Sequence, residues 1–127
     1  MRIYLAHPVS DYGSQRQVDA IRLLTSQCWQ VENPDQPHHA KAYQERGMQH
    51  FVEVVEDCDG VAFLRFPDGS IGAGVGKEIE TALRRGLMVW DISNGKLKNN
   101  GTMMPYPVLT VEETRTVLAR IKSEGQE

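Results

Sequence analysis

No apolar run in this chain approaches the ~20 residues of a membrane-spanning helix, and the opening Met1-Arg2-Ile3-Tyr4-Leu5-Ala6 lacks a signal-peptide core. Cysteine is scarce. Cys28 and Cys58 are too few for a disulfide framework, and both lie in apolar helical patterns. They read as small buried hydrophobes in a reducing cytoplasm. Basic charge is not in excess either: 14 Lys and Arg stand against 17 Asp and Glu, a net charge of −3. Without a basic stripe, a nucleic-acid polymer is excluded as partner. There is no internal repeat and no linker, so one domain over residues 1–127 is expected. At this length it buries about two-thirds of its unfolded surface. Membrane, secreted and collagen-like classes are set aside.

What is present is an alternation of strand and helix patterns. Residues 2–6 are β-rich and are broken by His7-Pro8 and by Asp11-Tyr12-Gly13-Ser14. From Gln15, Val18, Ile21, Leu24 and Cys28 recur at helical spacing. An extended segment at 29–32 ends at Asn33-Pro34, and Asp35 to His39 reads as a polar loop. Met48, Phe51, Val52 and Val55 predict a second helix, stopped by Asp57-Cys58-Asp59-Gly60 before the strongest strand, Val61 to Phe66. After the Pro67-Asp68-Gly69 turn and the glycine-rich residues 72–76, a helix carries Val75, Ile79, Ala82 and Leu83 and stops at Gly86. Leu87 to Trp90 is a further strand, 94–101 a polar loop or neighbour-facing lid, and Tyr106 to Leu109 a last strand. Thr110 to Glu113 has capping-box spacing and opens a final helix. The order implies an α/β fold, a flavodoxin- or Rossmann-like three-layer sandwich. Its five-stranded, mainly parallel sheet has the expected order 2-1-3-4-5. Ligands bind such sheets beyond the strand carboxyl ends, which selects residues 7–14, 33–39 and 67–78.

Several residues there suit chemistry. The glycine-rich residues 72–76 lack both the Gly-x-Gly-x-x-Gly spacing and the Walker pattern, since Glu78 follows Gly76-Lys77. Glu78 is placed in the first turn of its helix, where the dipole keeps a carboxylate ionised. It is either a helix N-terminal acid or a reactive group. Glu80 points about 200° from it, toward solvent. Asp59 is either a turn residue or, if the chain returns over the sheet edge, a partner of Glu78. Two carboxylates in one cleft are the equipment for glycosidic cleavage. Ser10, Ser14 and Arg16 are the types that hold a phosphate at a helix start, although Ser14 equally suits a cap and Arg16 a solvated charge. His7 is either a ligand-contacting group or a structural histidine. His38, His39, His50 and Cys58 lack a recognised metal spacing, so neither a metal nor any other cofactor is expected. The thiol of Cys58, beside two acids, should have a raised pKa.

With those residues in place, the chain resembles the nucleoside 2-deoxyribosyltransferase-like superfamily. The likeness rests on Ile3 to Pro8, on Asn33-Pro34, on Cys58 to Leu64 and, most specifically, on Gly72 to Ala82, where a glycine-rich turn leads to Glu78 and then Ala82. It resembles the nucleophile segment of the transferases and of the 2′-deoxynucleoside 5′-phosphate N-hydrolases. The resemblance implies that Glu78 attacks the anomeric carbon, and that Asp59 orients the sugar or assists the departing base. It implies that Tyr4 or Tyr12 positions the glutamate. Ser10, Ser14 and Arg16 would hold a 5′-phosphate, with His7, Tyr12, Asn33, Gly72 and Gly74 completing the substrate site. It also implies a homodimer or larger oligomer, a neighbour contributing residues around Met103 to Tyr106. Two positions depart from the pattern. His7 stands where relatives carry glycine, and Lys77 stands where they carry a bulky or apolar residue, which would favour an anionic substrate.

The function expected is therefore hydrolysis of the N-glycosidic bond of a (deoxy)nucleoside 5′-monophosphate through a glutamate nucleophile. The alternatives are base exchange on free deoxynucleosides and a nucleotide-binding module without turnover, with a purely structural oligomeric partner as a further class.

Overall fold

The computed structural model describes residues 1–101 and 107–124. In chain order it contains β1 (Arg2–Ala6), a single 3-10 turn (Val9–Asp11), α1 (Gln15–Thr25), β2 (Gln30–Glu32), α2 (Pro37–Arg46) and α3 (Met48–Glu56). These are followed by β3 (Gly60–Phe63), α4 (Ala73–Arg84), β4 (Met88–Asp91), β5 (Lys98–Asn99) and α5 (Val111–Glu124). The sheet order is β2-β1-β3-β4-β5, with the first four strands parallel and β5 antiparallel to β4. This is the expected Rossmann-like arrangement. No helix among the described residues is long and apolar enough to cross a membrane.

Alternation along the strands feeds two cores. Tyr4, Ala6, Val61, Phe63 and Val89 face α3 and α4, where Phe51, Val55, Val75, Ile79 and Ala82 meet them. Ile3, Leu5, Ala62, Leu64 and Trp90 face the other way, against Ala20 and Leu24 of α1. Period two in the strands thus makes a three-layer molecule, and each fully buried aliphatic side chain contributes about 1.5–3 kcal/mol. Trp29 and Trp90 pack ring against ring at 4.9 Å on the second face. The capping box at α5 forms as its spacing predicts, Glu113 N–H donating to Thr110 Oγ1 and Thr110 N–H to Glu113 Oε1.

Four local expectations are corrected. Residues 37–46, of which 37–39 are expected to be loop, form α2; its one buried residue is His39, so it shows no apolar stripe. Pro37 at the helix start and a run of good helix formers were the available signal. The buried stripe of α1 is Gln17, Ala20 and Leu24, which leaves Val18 39% exposed. Cys28 lies beyond the end of α1 with φ 63° and is exposed, whereas Cys58 is buried as expected. The fifth strand is Lys98–Asn99, inside the segment expected to be loop, while Val108 makes only an isolated parallel bridge to Ile71. Tyr106 and the supposed neighbour-completing Met103 to Tyr106 lie outside the described residues.

The bridge at Val108 explains a glycine. A Cβ on Gly76 would stand 2.4 Å from Val108 Cγ1, while one on Gly74 would meet nothing closer than Met48 Sδ at 3.9 Å. Gly76→Ala is therefore expected to destabilise by about 1–3 kcal/mol through overpacking of a stiff β-branched neighbour. Gly74→Ala should be neutral, or stabilise by up to about 1 kcal/mol through helix propensity. Urea denaturation of both variants checks this, and equal losses would refute it.

Candidate active site

The carboxyl ends of β1, β2 and β3 open onto a cavity of about 760 Å3, walled by the turn after β1, the segment 34–37, α2, α3 and the start of α4. Its lining is largely apolar and aromatic, with Val9, Tyr43, Met48, Phe51, Phe66 and Val75 contributing. Such a concave surface with few polar groups is the usual form of a small-molecule site.

Glu78 is the polar group at its base. The helix α4 begins at Ala73, after an N-cap at Gly72, so the glycine-rich stretch is itself the first turn. Glu78 consequently lies beyond that turn, where the macrodipole has little hold. This corrects the expectation of a dipole-ionised acid. The same stripe that buries Val75, Ile79 and Ala82 carries Glu78 inward, to 6% exposure. Tyr4, fully buried in β1, donates its hydroxyl to Glu78 Oε2. Burial pushes the Glu78 carboxyl up to about 8, although the Tyr4 hydrogen bond pulls it down. The Tyr4 phenol is pushed well above its usual value by burial and then by the negative charge of Glu78. Tyr12 is likewise raised, by burial first and then by Glu78 and Asp35. Tyr4 thus touches the carboxylate, and Tyr12 lines the cavity within its field.

A polar relay joins the loops on the opposite wall. Gln17 Nε2 donates to Asp35 Oδ2 at 3.0 Å, which leaves its Oε1 to accept from His7 Nε2 at 2.6 Å. His7 Nδ1 lies 3.0 Å from the Leu5 carbonyl oxygen, and the ring packs on Tyr12 at 4.9 Å. Asp35 is in turn held by an Asx turn, its N–H donating to Asn33 Oδ1 at 3.0 Å. His7 and Asp35 both line the cavity. Asp35 and Gln17 were missed in the sequence. The signal for Asp35 was the Asn33-Pro34-Asp35 turn, and that for Gln17 was the offset of the α1 stripe.

Other expected site residues lie elsewhere. Asp59 is exposed and precedes β3, at the amino ends of the strands. Its carboxylate accepts from Arg2 N–H at 2.7 Å, while its own N–H donates to the Arg2 carbonyl at 2.8 Å. It ties β1 to β3, and the chain does not return it to Glu78. Ser14 caps α1 by accepting from Gln17 N–H, and its hydroxyl donates to the Asp11 carbonyl. Arg16 is paired with Asp11 at 2.7 Å and donates to the Arg65 carbonyl at 2.8 Å. Ser10 lies exposed in the 3-10 turn. None of these three lines the cavity, nor do Asn33 and the exposed Lys77. Gly72 and Gly74 do line it. Burial pushes the Cys58 thiol up to about 11, a stronger cause than the acids expected to do so.

The raised Glu78 makes stability depend on pH. An unfolded glutamate titrates near ~4.3, so between that value and about 8 the folded chain holds a proton that the unfolded chain releases. Stability is expected to fall as pH rises through this window. Glu78→Gln should melt above wild type at about pH 8 and lose that advantage toward about pH 5. A melting difference that stays flat across the window would overturn the assignment.

No family model matches the sequence, and no curated protein matches it. Among solved structures the chain is similar to the CMP N-glycosidase BcmB of Clostridium botulinum, with 16% identity over 97% of this chain and 99% of that one, at a TM-score of 0.49.

Proposed function

We propose that the protein cleaves the N-glycosidic bond of a small nucleoside or nucleoside monophosphate, with Glu78 as nucleophile. The observation that carries this reading is the buried Tyr4–Glu78 pair at the base of a cavity on the carboxyl side of the sheet. It agrees with the motif resemblance of the segment from Gly72 to Ala82. A tyrosine hydroxyl on Oε2 fixes the carboxylate rotamer and leaves Oε1 as the attacking oxygen. The apolar and aromatic wall suits a flat base, and the Glu78 carboxylate suits a sugar carbon with developing positive charge.

In the first step Glu78 Oε1 bonds to C1′ as the C–N bond breaks. The base keeps the bonding pair and takes up a proton. In the second step water adds at C1′ and the glutamyl ester bond breaks, restoring the carboxylate. One water thus supplies the hydroxyl on the sugar and, overall, the proton on the base. Asp35 takes the proton-handling role expected of Asp59, being the second carboxylate among the described cavity residues. Burial of Glu78 sets the energetics: the carboxylate is a poor ground state in the empty cavity and gains from a positive charge at C1′.

Chromatography of free base after incubation with each deoxynucleoside and its 5′-monophosphate tests the reading. Glu78→Ala is expected to lower release by about 10³-fold or more, and Asp35→Asn by about 10²–10⁴-fold. kcat/KM should rise with pH toward about 8, as Glu78 ionises. Full release by Glu78→Ala would end this mechanism. Exchange seen only with an added acceptor base would make the protein a transferase. Tight nucleotide binding that Glu78→Gln leaves unchanged, without release, would make it a binding module.

A further inference from the structure

Outside the cavity, a group of titratable side chains gathers where β2 ends and α2 and α3 begin. Glu32 closes β2, His38 and His39 lie in the first turn of α2, and His50 lies in the first turn of α3. One ligand atom each from Glu32, His38 and His39 falls within 4.8 Å of the others. His39 is buried, at 4% exposure. Its Nε2 stands 2.5 Å from Glu32 Oε1 and its Nδ1 stands 2.8 Å from His50 Nε2. Arg2 occupies the other carboxylate oxygen, Oε2, at 2.6 Å.

The two contacts of His39 constrain each other. His39 Nδ1 and His50 Nε2 lie within hydrogen-bond distance, so one of the two rings donates to the other. His39 Nε2 faces a carboxylate oxygen. A proton lies between the two atoms at that distance, and a metal ion bound by both would take its place. Arg2 holds Glu32 Oε2, which leaves Oε1 to His39.

We infer that Glu32, His38 and His39 form a binding site for a divalent metal ion of zinc type, which replaces the proton between His39 and Glu32. Two imidazoles and one carboxylate are a common zinc donor set, with water in the fourth position. With a metal on Nε2, His39 Nδ1–H would donate to His50 Nε2, 2.8 Å away, which is the usual outer hydrogen bond of a metal-bound histidine. Zinc–ligand bonds near ~2.0 Å put tetrahedral donors roughly 3.3 Å apart, so the His39–Glu32 pair opens by less than about 1 Å. His38 is exposed, and its ring lies 4.1 Å from that of His39. Facing charges are Arg2 on β1, Arg46 on α2 and Glu53 on α3, with Glu32 the carboxylate in direct contact.

The site has a structural consequence for the cavity. Pro34, Asp35, Gln36 and Pro37 line the cavity, and the ligands flank that segment on either side. A metal ion there clips both ends of the wall that carries Asp35.

Calorimetric titration of the full chain with Zn²⁺ at neutral pH tests this, with Co²⁺ as an absorption probe of ligand geometry. One Zn²⁺ per chain is expected, with a raised melting temperature and four-coordinate Co²⁺ bands. His50→Ala should weaken binding by about 10–100-fold. His38→Ala and Glu32→Gln should each weaken it by more than about tenfold. His38 is exposed, so His38→Ala should melt like wild type without metal, which keeps the test decisive if Glu32→Gln disturbs folding. No saturable Zn²⁺ binding, or binding that His38→Ala leaves intact, would overturn the proposal.

Discussion

A carboxyl group buried against the central strand is the constraint around which this molecule is arranged. Tyr4 stands in the middle of β1, paired in register with Glu32 of β2 and Val61 of β3, and has no exposure of its own. Its hydroxyl needs a partner inside the core, and Glu78 supplies it from α4. An ionised carboxylate moved out of water costs several kcal/mol, so the site tolerates Glu78 by raising its pKa and by donating to it. The docking of α4 is therefore coupled to one proton. The segment that bridges Ile71 also needs a position on α4 without a side chain. Gly76, with Val108 pressed on its face, meets that need.

The two ends of the sheet divide their work. At the amino ends Asp59 and Arg2 exchange hydrogen bonds that align β1 with β3, which is a task of register. At the carboxyl ends the loops diverge and leave room for the cavity. An acid placed before a parallel strand and one placed on the helix after it start from opposite ends of that strand. That topology, rather than any property of the residue, keeps Asp59 from Glu78. Asp35 follows β2 and so emerges on the cavity side.

The layers and strand order were legible because they follow from periodicities that packing obeys. Val61 to Leu64 and Leu87 to Trp90 are apolar throughout, as strands covered on both faces must be. Glu78 was legible as an unusual residue through its place beside Ile79 and Ala82. What the sequence concealed was each place where a polar side chain occupies a core-facing position. Gln17 takes a stripe position on α1 and shifts the apparent apolar face toward Val18. His39 is the buried residue of α2, and without an apolar stripe that helix looks like loop. The spacing of Ser14 and Arg16 suggested anion binding, whereas the pairing of Arg16 with Asp11 depends on a fold that spacing does not encode.

Those concealed polar positions share a purpose. Gln17 spans from His7, after β1, to Asp35, after β2, so one amide links two loops through a helix that supports both. Asn33 fixes the start of the segment carrying Asp35, and His39, through Glu32, fixes its flanks. This wall is held by directional hydrogen bonds and charge rather than by volume filling. Directional contacts hold a carboxylate in a fixed pose, which is what pre-organisation for a charged transition state requires. The base of the cavity answers to proton occupancy through Glu78. The same physical economy that withheld apolar residues from core-facing positions thus made the site sensitive to charge.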